Sequence, residues 1–318
     1  MKFRRMGRLF NPSEYELPAD CFGYAQSPQA LVLEDRVRIF FSARSKDEQE
    51  KFISHVCFVD VTHDFRQVLG TGGPVIGSSE LGAFDEHGIF PLNPVRHKNR
   101  LLGFTTGWSR RVSVSVETGI GMVKSEDNGL KFDRVGIGPV MSSSLREPCL
   151  VGDAFVISKN ESLHMWYIKG AGWKQAYSGA TPDRIYKIAY ATSDNDGVTW
   201  HRGKTHQLIP DILDENECQA LPTVIEIDDY FHMVFCFREA FDFRKGKGRG
   251  YRLGYAYSRD MLSWTRDDQK FSFVGGEGDW ESDMECYPHL VRVNSEVFIL
   301  YNGNEFGKYG FGVAKLIT

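Results

Sequence analysis

The sequence predicts an all-β protein, a five-bladed β-propeller, from three observations. An apolar strand, a short polar turn and a second strand ending in aromatic residues recur five times. Each copy is followed by a strand of small and aromatic residues that leads into another polar turn. No long segment has the 3.6-residue periodicity of a helix. Sheets built from units of about sixty residues bury both faces when they pack radially, as the blades of a propeller do.

A proline marks the start of each copy and sets the register of the repeat. The five prolines are Pro28, Pro91, Pro148, Pro222 and Pro288. In four copies an aromatic residue follows thirteen positions later, whereas the third copy reaches its aromatic pair at 166–167 through a longer hairpin. We therefore predict one propeller domain, residues 1–318, with a blade starting near each proline. The fifth copy lacks its outer strand, and we expect residues 2–10, KFRRMGRLF, to supply it and close the ring.

Two of the later turns have the composition of tight hairpins. SEDNGLKF at 125–132 and SDNDGVTW at 193–200 place Ser, Asp or Asn, Gly and an aromatic residue at fixed spacing. Asp and Asn side chains bond their own backbone, and Gly supplies a positive φ. These turns are similar to the Asp-box turns of propeller blades.

Composition and charge narrow the class of protein. Of the 318 residues, 42% are hydrophobic, 13% are aromatic and 25% are charged, as in a globular chain with a large core. The net charge of -4 argues against a nucleic-acid partner. No apolar stretch is long enough to span a membrane, and the N-terminus lacks the apolar region of a secretory signal. We expect a cytoplasmic protein with no membrane partner, and the sequence leaves its oligomeric state open.

Six cysteines occur, and none forms a CxxC pair. The sequence therefore predicts reduced thiols and no zinc site. His87 and His289 open two of the first strands, but no ligand spacing accompanies them, so we expect hydrogen-bonding histidines and no metal or other cofactor.

Carboxylates are concentrated before the prolines. Antiparallel order brings the starts of the first strands and the ends of the second strands to one face, here called the entry face. The predicted catalytic residues are Asp85, Glu147, Glu217 and Glu285. Crowded carboxylates raise one another's pKa, which suits one of them to act as a general acid. The alternative for each is a structural role, as an ion pair or a cap.

Cations, aromatic residues and amides follow the second strands or adjoin the carboxylates. Arginine forks bind phosphate or carboxylate, and aromatic rings stack on sugars. Each of these residues also has a structural alternative to ligand binding: cations solvate the rim, aromatic residues pack in the core, and histidines and amides form ordinary hydrogen bonds. The predicted substrate-binding residues are Arg44, His87, Trp108, Arg146, Trp173, Arg238, Asn302 and Asn304.

The layout resembles the five-bladed propeller glycosidases of families 32, 43, 68 and 130. REP at 146–148 is similar to the Arg-Asp-Pro motif of family 32, with Glu147 where that Asp stands. NEC at 216–218 is similar to the Glu-Cys motif that carries the general acid, which Glu217 would match. The first blade departs from the pattern, because Gln26 and Ser27 stand where families 32 and 43 carry an Asp.

Three functional hypotheses follow. The first is a glycosidase-like enzyme acting on a small sugar or glycoside, phosphorylated and acidic sugars included. The second is a phosphorolytic or transferase variant, in which bound phosphate replaces the missing first-blade acid. The third is a propeller that binds a sugar without turnover.

Overall fold

The computed structural model describes residues 1–203, 207–244, 246, 248–276 and 278–318, and confirms the five-bladed β-propeller. Four blades are four-stranded antiparallel sheets, and the fifth has five strands. The strands are β1 (Lys2–Phe10), β2 (Gly23–Val32), β3 (Val37–Lys46), β4 (Phe52–Val61), β5 (Val68–Gly72), β6 (Ile89–His97), β7 (Arg100–Arg110), β8 (Val116–Ser125), β9 (Asp133–Arg134), β10 (Val151–Lys159), β11 (Ser162–Lys174), β12 (Asp183–Ser193), β13 (His201–Arg202), β14 (Cys218–Ile227), β15 (Tyr230–Arg238), β16 (Arg252–Ser258), β17 (Thr265–Arg266), β18 (Ser272–Val274), β19 (Cys286–Val293), β20 (Glu296–Asn302) and β21 (Phe311–Leu316).

The helical elements are single turns. They are α1 (Asn304–Gly307) and three 3₁₀ turns, Pro12–Glu14, Asp268–Lys270 and Asp279–Glu281. In the part of the chain that the structure describes, no helix has the length and apolar content needed to cross a membrane.

The inner strands β2, β6, β10, β14 and β19 surround the axis, each in contact with the next. The first four blades run outward in chain order from these strands. The fifth runs β19-β20-β21-β1-β18, so β1 pairs antiparallel with β21 and parallel with β18. The N-terminal segment thus joins the strand that is formed last in the chain, and the ring closes through backbone hydrogen bonds.

Phe10 lies at this closure and is only 1% exposed. Its ring centroid is 5.1 Å from that of Phe41 in the first blade and 5.5 Å from that of Phe311 in the fifth. Apolar packing therefore joins the two blades that the closing strand brings together.

Truncating this ring should weaken the closure. We expect Phe10→Ala to lower the free energy of unfolding by about 3–5 kcal/mol, because it leaves a cavity between two blades. Leu69→Ala, at a half-exposed site, serves as control and should change it by less than about 0.5 kcal/mol. Urea denaturation measures both. Equal midpoints for the two variants would contradict the role given to Phe10.

The hairpin turns behave as predicted and pack between blades. The hydroxyl of Ser125 accepts the amide of Gly129, and that of Ser193 accepts the amide of Gly197. Both glycines have a positive φ. A Cβ on Gly129 would lie 2.7 Å from the Phe40 ring of the preceding blade, so side chains are excluded there for steric reasons as well.

Every inner strand carries an irregularity at the same place. The register shifts fall at residues 27–28, 90–91, 153–154, 221–222 and 287–288. Four of the five shifts coincide with a repeat proline. In the third blade the shift falls at residues 153–154, six residues after Pro148, so the register shift and the repeat proline do not coincide there. Pro148 lies in the loop before β10. Tyr167 follows Ala154 by thirteen positions, so all five blades share one spacing and the third hairpin is not longer.

Candidate functional site

Five residues occupy equivalent positions where the inner strands enter the propeller: Ser27, Phe90, Asp153, Leu221 and Tyr287, here called the bulge ring. Each directly precedes the register mark of its blade. The Phe90 ring lies 5.3 Å from the Tyr287 ring, which joins the second and fifth blades. The Asp153 carboxyl of the third blade lies close enough to the Leu221 backbone of the fourth for that backbone to lower its pKa. The bulge ring thus forms the floor of the entry face with one residue from each blade, and Asp153 is its one acid.

Asp153 has a hydrogen-bonded backbone and is largely shielded from solvent. Its amide donates to the hydroxyl of Thr106 at 2.6 Å, and the residue is 7% exposed. Burial raises the pKa of the carboxyl to about 7, although the charge of Arg184 and the Leu221 amide oppose the shift. Such a group is partly protonated at neutral pH, so it can both donate and accept a proton.

Aromatic side chains surround this floor. Tyr186, Tyr251 and Tyr287 are buried in one apolar cluster, and the Tyr251 ring lies 5.6 Å from that of Tyr287. Four partly exposed aromatic residues pack on the same cluster: Phe90, Trp173, Phe241 and Phe306. Such rings provide the flat apolar surfaces on which sugars stack.

Two arginines approach the floor without carboxylate partners. Arg44 donates through Nε to Gln26 at 2.7 Å, and Gln26 donates to the Phe306 carbonyl at 2.6 Å. The Arg244 guanidinium lies 5.0 Å from the centroid of the same Phe306 ring. Among the described residues, no carboxylate lies within ion-pair distance of either arginine. Burial lowers the pKa of Arg44, and the charge of Arg244 adds to the effect. A pair of cations left unneutralised in this way suits an anionic ligand.

Arg238 lies behind the floor. It is buried and donates to the carbonyls of Glu239 and Ala240 and to the hydroxyl of Tyr186. Its guanidinium also packs 3.5 Å from the ring centroid of Phe243. These contacts shape the aromatic wall from within, so the predicted contact of Arg238 with substrate remains untested.

Three of the four predicted catalytic carboxylates form one repeated ion pair. Each is buried and contacts an arginine on the fourth strand of its own blade. The pairs are Asp85–Arg134 at 2.7 Å, Glu147–Arg202 at 2.5 Å and Glu217–Arg266 at 2.6 Å. Each of these carboxylates is therefore engaged by an arginine of β9, β13 or β17 within its own blade. Their contacts match the structural alternative, and a catalytic role for them remains a prediction.

In the fifth blade, Glu281 takes the corresponding place. It lies 3.4 Å from Nε of Arg5 and accepts the Tyr301 hydroxyl, as Glu147 accepts that of Tyr167. Glu285 also pairs with Arg5. The Glu-Cys repetition is out of register, because Cys218 lies four residues before its proline and Cys286 lies two before its own.

The remaining predicted residues of the second and third blades lie on the rim. His87 packs on Trp108 with ring centroids 5.6 Å apart, and it accepts the amide of Arg110. Burial, and then the charge of Arg110, lower the pKa of His87. Arg146 is exposed. The role of His87, Trp108 and Arg146 in binding remains a prediction.

The side-chain amides of the two predicted asparagines form hydrogen bonds with backbone groups. Asn302 accepts the Ser27 amide and donates to the carbonyls of Ala25 and Gly310. Asn304 accepts the amides of 283 and 284 and donates to the carbonyl of 279. Both side chains hold loops of the entry face in place.

Of the predicted site residues, Arg44 and Trp173 lie in the group around the bulge ring. Asp153 was missed, although a usable signal was present. Counting thirteen residues back from Tyr167 places the register mark at Ala154 and Asp153 directly before it.

Metal-binding side chains do not cluster in the described part of the chain. No group of three or more His, Cys, Asp or Glu is arranged to hold an ion there, and all six cysteines are free. The side chains around Asp153 offer proton transfer, ring stacking and anion binding.

The fold is that of the five-bladed propeller glycoside hydrolases. The protein aligns with a solved glycoside hydrolase at a TM-score of 0.73 and 12% identity, over 99% of this protein and 93% of the other. It aligns with a putative glycosidase from Bacteroides thetaiotaomicron at a TM-score of 0.70 and 14% identity, and the alignment covers 98% of this protein and 96% of the other. It aligns with a thermostable family-43 glycoside hydrolase at a TM-score of 0.66 and 14% identity, and the alignment covers 96% of this protein and 93% of the other. The resemblance predicted from the sequence is confirmed as one of fold.

Relatives by sequence come from Mycobacterium tuberculosis. Uncharacterized protein Rv1502 of strain H37Rv and uncharacterized protein MT1551 of strain CDC 1551 / Oshkosh are each 29% identical over 317 residues, which is 99% of this protein and 99% of theirs. No family model matches the sequence.

Proposed function

We propose that this protein processes a glycosidic bond at the bulge ring, with Asp153 as its proton donor. The observation that carries the proposal is a single buried carboxyl with a pKa of about 7 on the floor of the entry face. Aromatic rings flank it, and the fold is shared with glycoside hydrolases. Asp153 would protonate the leaving oxygen as the bond to the anomeric carbon breaks.

The contacts of the other carboxylates favour the phosphorolytic form of this reaction. A two-carboxylate hydrolase needs a second carboxyl across the scissile bond, within roughly 5–10 Å. Asp85, Glu147 and Glu217 are instead held by arginines of the outer strands. In the phosphorolytic form, a phosphate oxygen held by Arg44 and Arg244 attacks the anomeric carbon. The glycosidic C–O bond breaks, and the proton of Asp153 goes to the departing oxygen.

The test compares turnover of aryl glycosides and sugar phosphates with and without inorganic phosphate. Phosphate-dependent turnover supports the phosphorolytic form, and turnover in water alone supports a hydrolase. Sugar binding without turnover in either buffer, unchanged in Asp153→Asn, would replace both with the binding hypothesis.

Phosphate affinity should depend on the two arginines. We expect Arg44→Gln and Arg244→Gln each to raise the KM for phosphate by about 10- to 100-fold, since each removes a charged hydrogen bond worth about 1.5–3 kcal/mol. Arg111→Gln is the matched control, because Arg111 lies on the rim and is paired with Glu117. Initial rates at varied phosphate measure the effect. A phosphate KM unchanged in both variants would rule out this anion site.

A further inference from the structure

We infer that the loops of the fourth and fifth blades form a second carbohydrate subsite, which binds the sugar units adjoining the one at Asp153. This inference rests on the proposed function, because it extends the same ligand. A cavity of about 690 Å³ opens between the loops of the two blades, lined among others by Phe243, Gly246, Gly250, Asp279, Asp283 and Asn304. Ligand-binding clefts have volumes of about 300–1,000 Å³, so the cavity is large enough for more than one sugar unit.

Aromatic residues form much of the cavity wall. Trp280, Phe306 and Tyr309 all line it. Trp280 packs on Tyr301 with ring centroids 5.6 Å apart, and a Cβ on Gly312 would lie 2.6 Å from the Trp280 ring. This tight packing fixes the indole, and a fixed ring binds a sugar face with little loss of side-chain freedom.

The charged groups of the cavity wall differ in their partners: Arg8 and Glu305 pair with Glu14 and Lys308, whereas three others have no charged partner among the described residues. Among the described residues, the carboxylates of Asp279 and Asp283 have no side-chain partner, and Arg244 contacts only aromatic rings. Unpaired acceptors and a donor beside aromatic rings suit a molecule with many hydroxyl groups and apolar ring faces. Charged groups that served only to hold the loops together would be expected to pair with each other.

The loop that separates this cavity from the bulge ring has a strained backbone. Glu305 and Phe306 have φ values of 53° and 59°, a left-handed conformation that is unfavourable for two consecutive residues with side chains. The Asn304 amide and the bond from Gln26 to the Phe306 carbonyl hold the loop in place. A strained backbone of this kind persists only where the surrounding contacts are strong enough to hold it.

Phe306 connects the two sites. Its ring lies 6.1 Å from Tyr251, which belongs to the wall around the bulge ring, and 6.0 Å from Phe243, which lines the cavity. A ligand in the cavity is therefore separated from the floor by one aromatic side chain. This spacing suits successive units of one oligosaccharide, and it defines the substrate class as an oligosaccharide or an extended glycoside.

The experiment measures binding of trisaccharides against their monosaccharides. The probes are xylotriose, arabinotriose, mannotriose and maltotriose, each titrated by calorimetry. We expect at least one trisaccharide to bind about tenfold or more tightly than its monosaccharide. Tyr309→Ala and Asp283→Asn should each remove most of that preference, because both side chains line the cavity. Tyr177→Ala, at an exposed tyrosine outside the cavity, should leave it unchanged.

The outcomes separate this inference from the proposed function. Asp153→Asn should abolish turnover but keep the preference for the trisaccharide, since the subsite does not include Asp153. Absence of turnover in the unaltered protein, with the preference intact, would remove the proposed function alone. If no trisaccharide exceeds its monosaccharide, or if Tyr309→Ala and Asp283→Asn keep the full preference, the subsite is disproved. Unchanged thermal midpoints in the variants confirm that they are folded.

Discussion

Asp153→Asn is expected to reduce turnover by at least about a hundredfold while the propeller remains folded. General acid catalysis contributes about 10²–10⁴ in rate, and Asp153 is the one acid of the bulge ring. Because the proton donor must be protonated, kcat/KM of the unaltered protein should fall as the pH rises above about 7. A pH–rate profile of both proteins measures this. A variant with full activity and the same profile would exclude Asp153 as the donor.

The same residue should govern how stability depends on pH. The folded-state pKa of Asp153 is raised to about 7, above the ordinary value of about 3.9. Between these values the folded state holds a proton that the unfolded state has released. The contribution is therefore fully present below about pH 3.9, and it is lost as the pH rises through about 7. Urea denaturation at pH 5 and pH 8 should show a smaller loss of stability in Asp153→Asn than in the unaltered protein.

Glu217→Gln is expected to act mainly on stability, by about 3 kcal/mol or more. Glu217 is 0% exposed and the Arg266 side chain is 2% exposed, so the variant leaves a buried arginine without its main counter-charge. Glu217 also accepts the backbone amides of Ile212 and Leu213, so the NH₂ group of glutamine would face either these donors or the guanidinium of Arg266. Chemical denaturation measures the loss.

An exposed ion pair provides the control. Glu226→Gln removes the partner of Lys159 at a site where the Glu226 side chain is 48% exposed, and it should cost less than about 1 kcal/mol. If Glu217→Gln keeps full stability and loses turnover, the catalytic role predicted from the NEC motif is supported and the structural explanation fails.

The fold could be predicted because its pattern is repeated and local. The strand–turn–strand unit recurs five times, and its strands and turns depend on residues close together in the sequence. The Ser, Asp and Gly of the hairpin turns likewise act within a few residues. The roles of the predicted site residues depend instead on side chains that are distant in the sequence. Glu147 finds Arg202 on an outer strand 55 positions later, and nothing in REP indicates that pairing. Asp153 was missed because the proline was taken as the register mark, whereas the shared feature is a backbone bulge that Ala154 also permits.

The closure of the ring also determines when the protein can finish folding during synthesis. β1 precedes the other strands of the propeller in the chain, yet its hydrogen-bonding partner β21 is made after all of them. Until the ribosome has released Phe311–Leu316, Phe10 and Phe41 have no Phe311 to pack against. Contacts this distant in sequence form slowly and leave apolar surface open to aggregation in the meantime. Production of this protein should therefore respond to slower synthesis at low temperature and to chaperones that shield a nascent N-terminal strand.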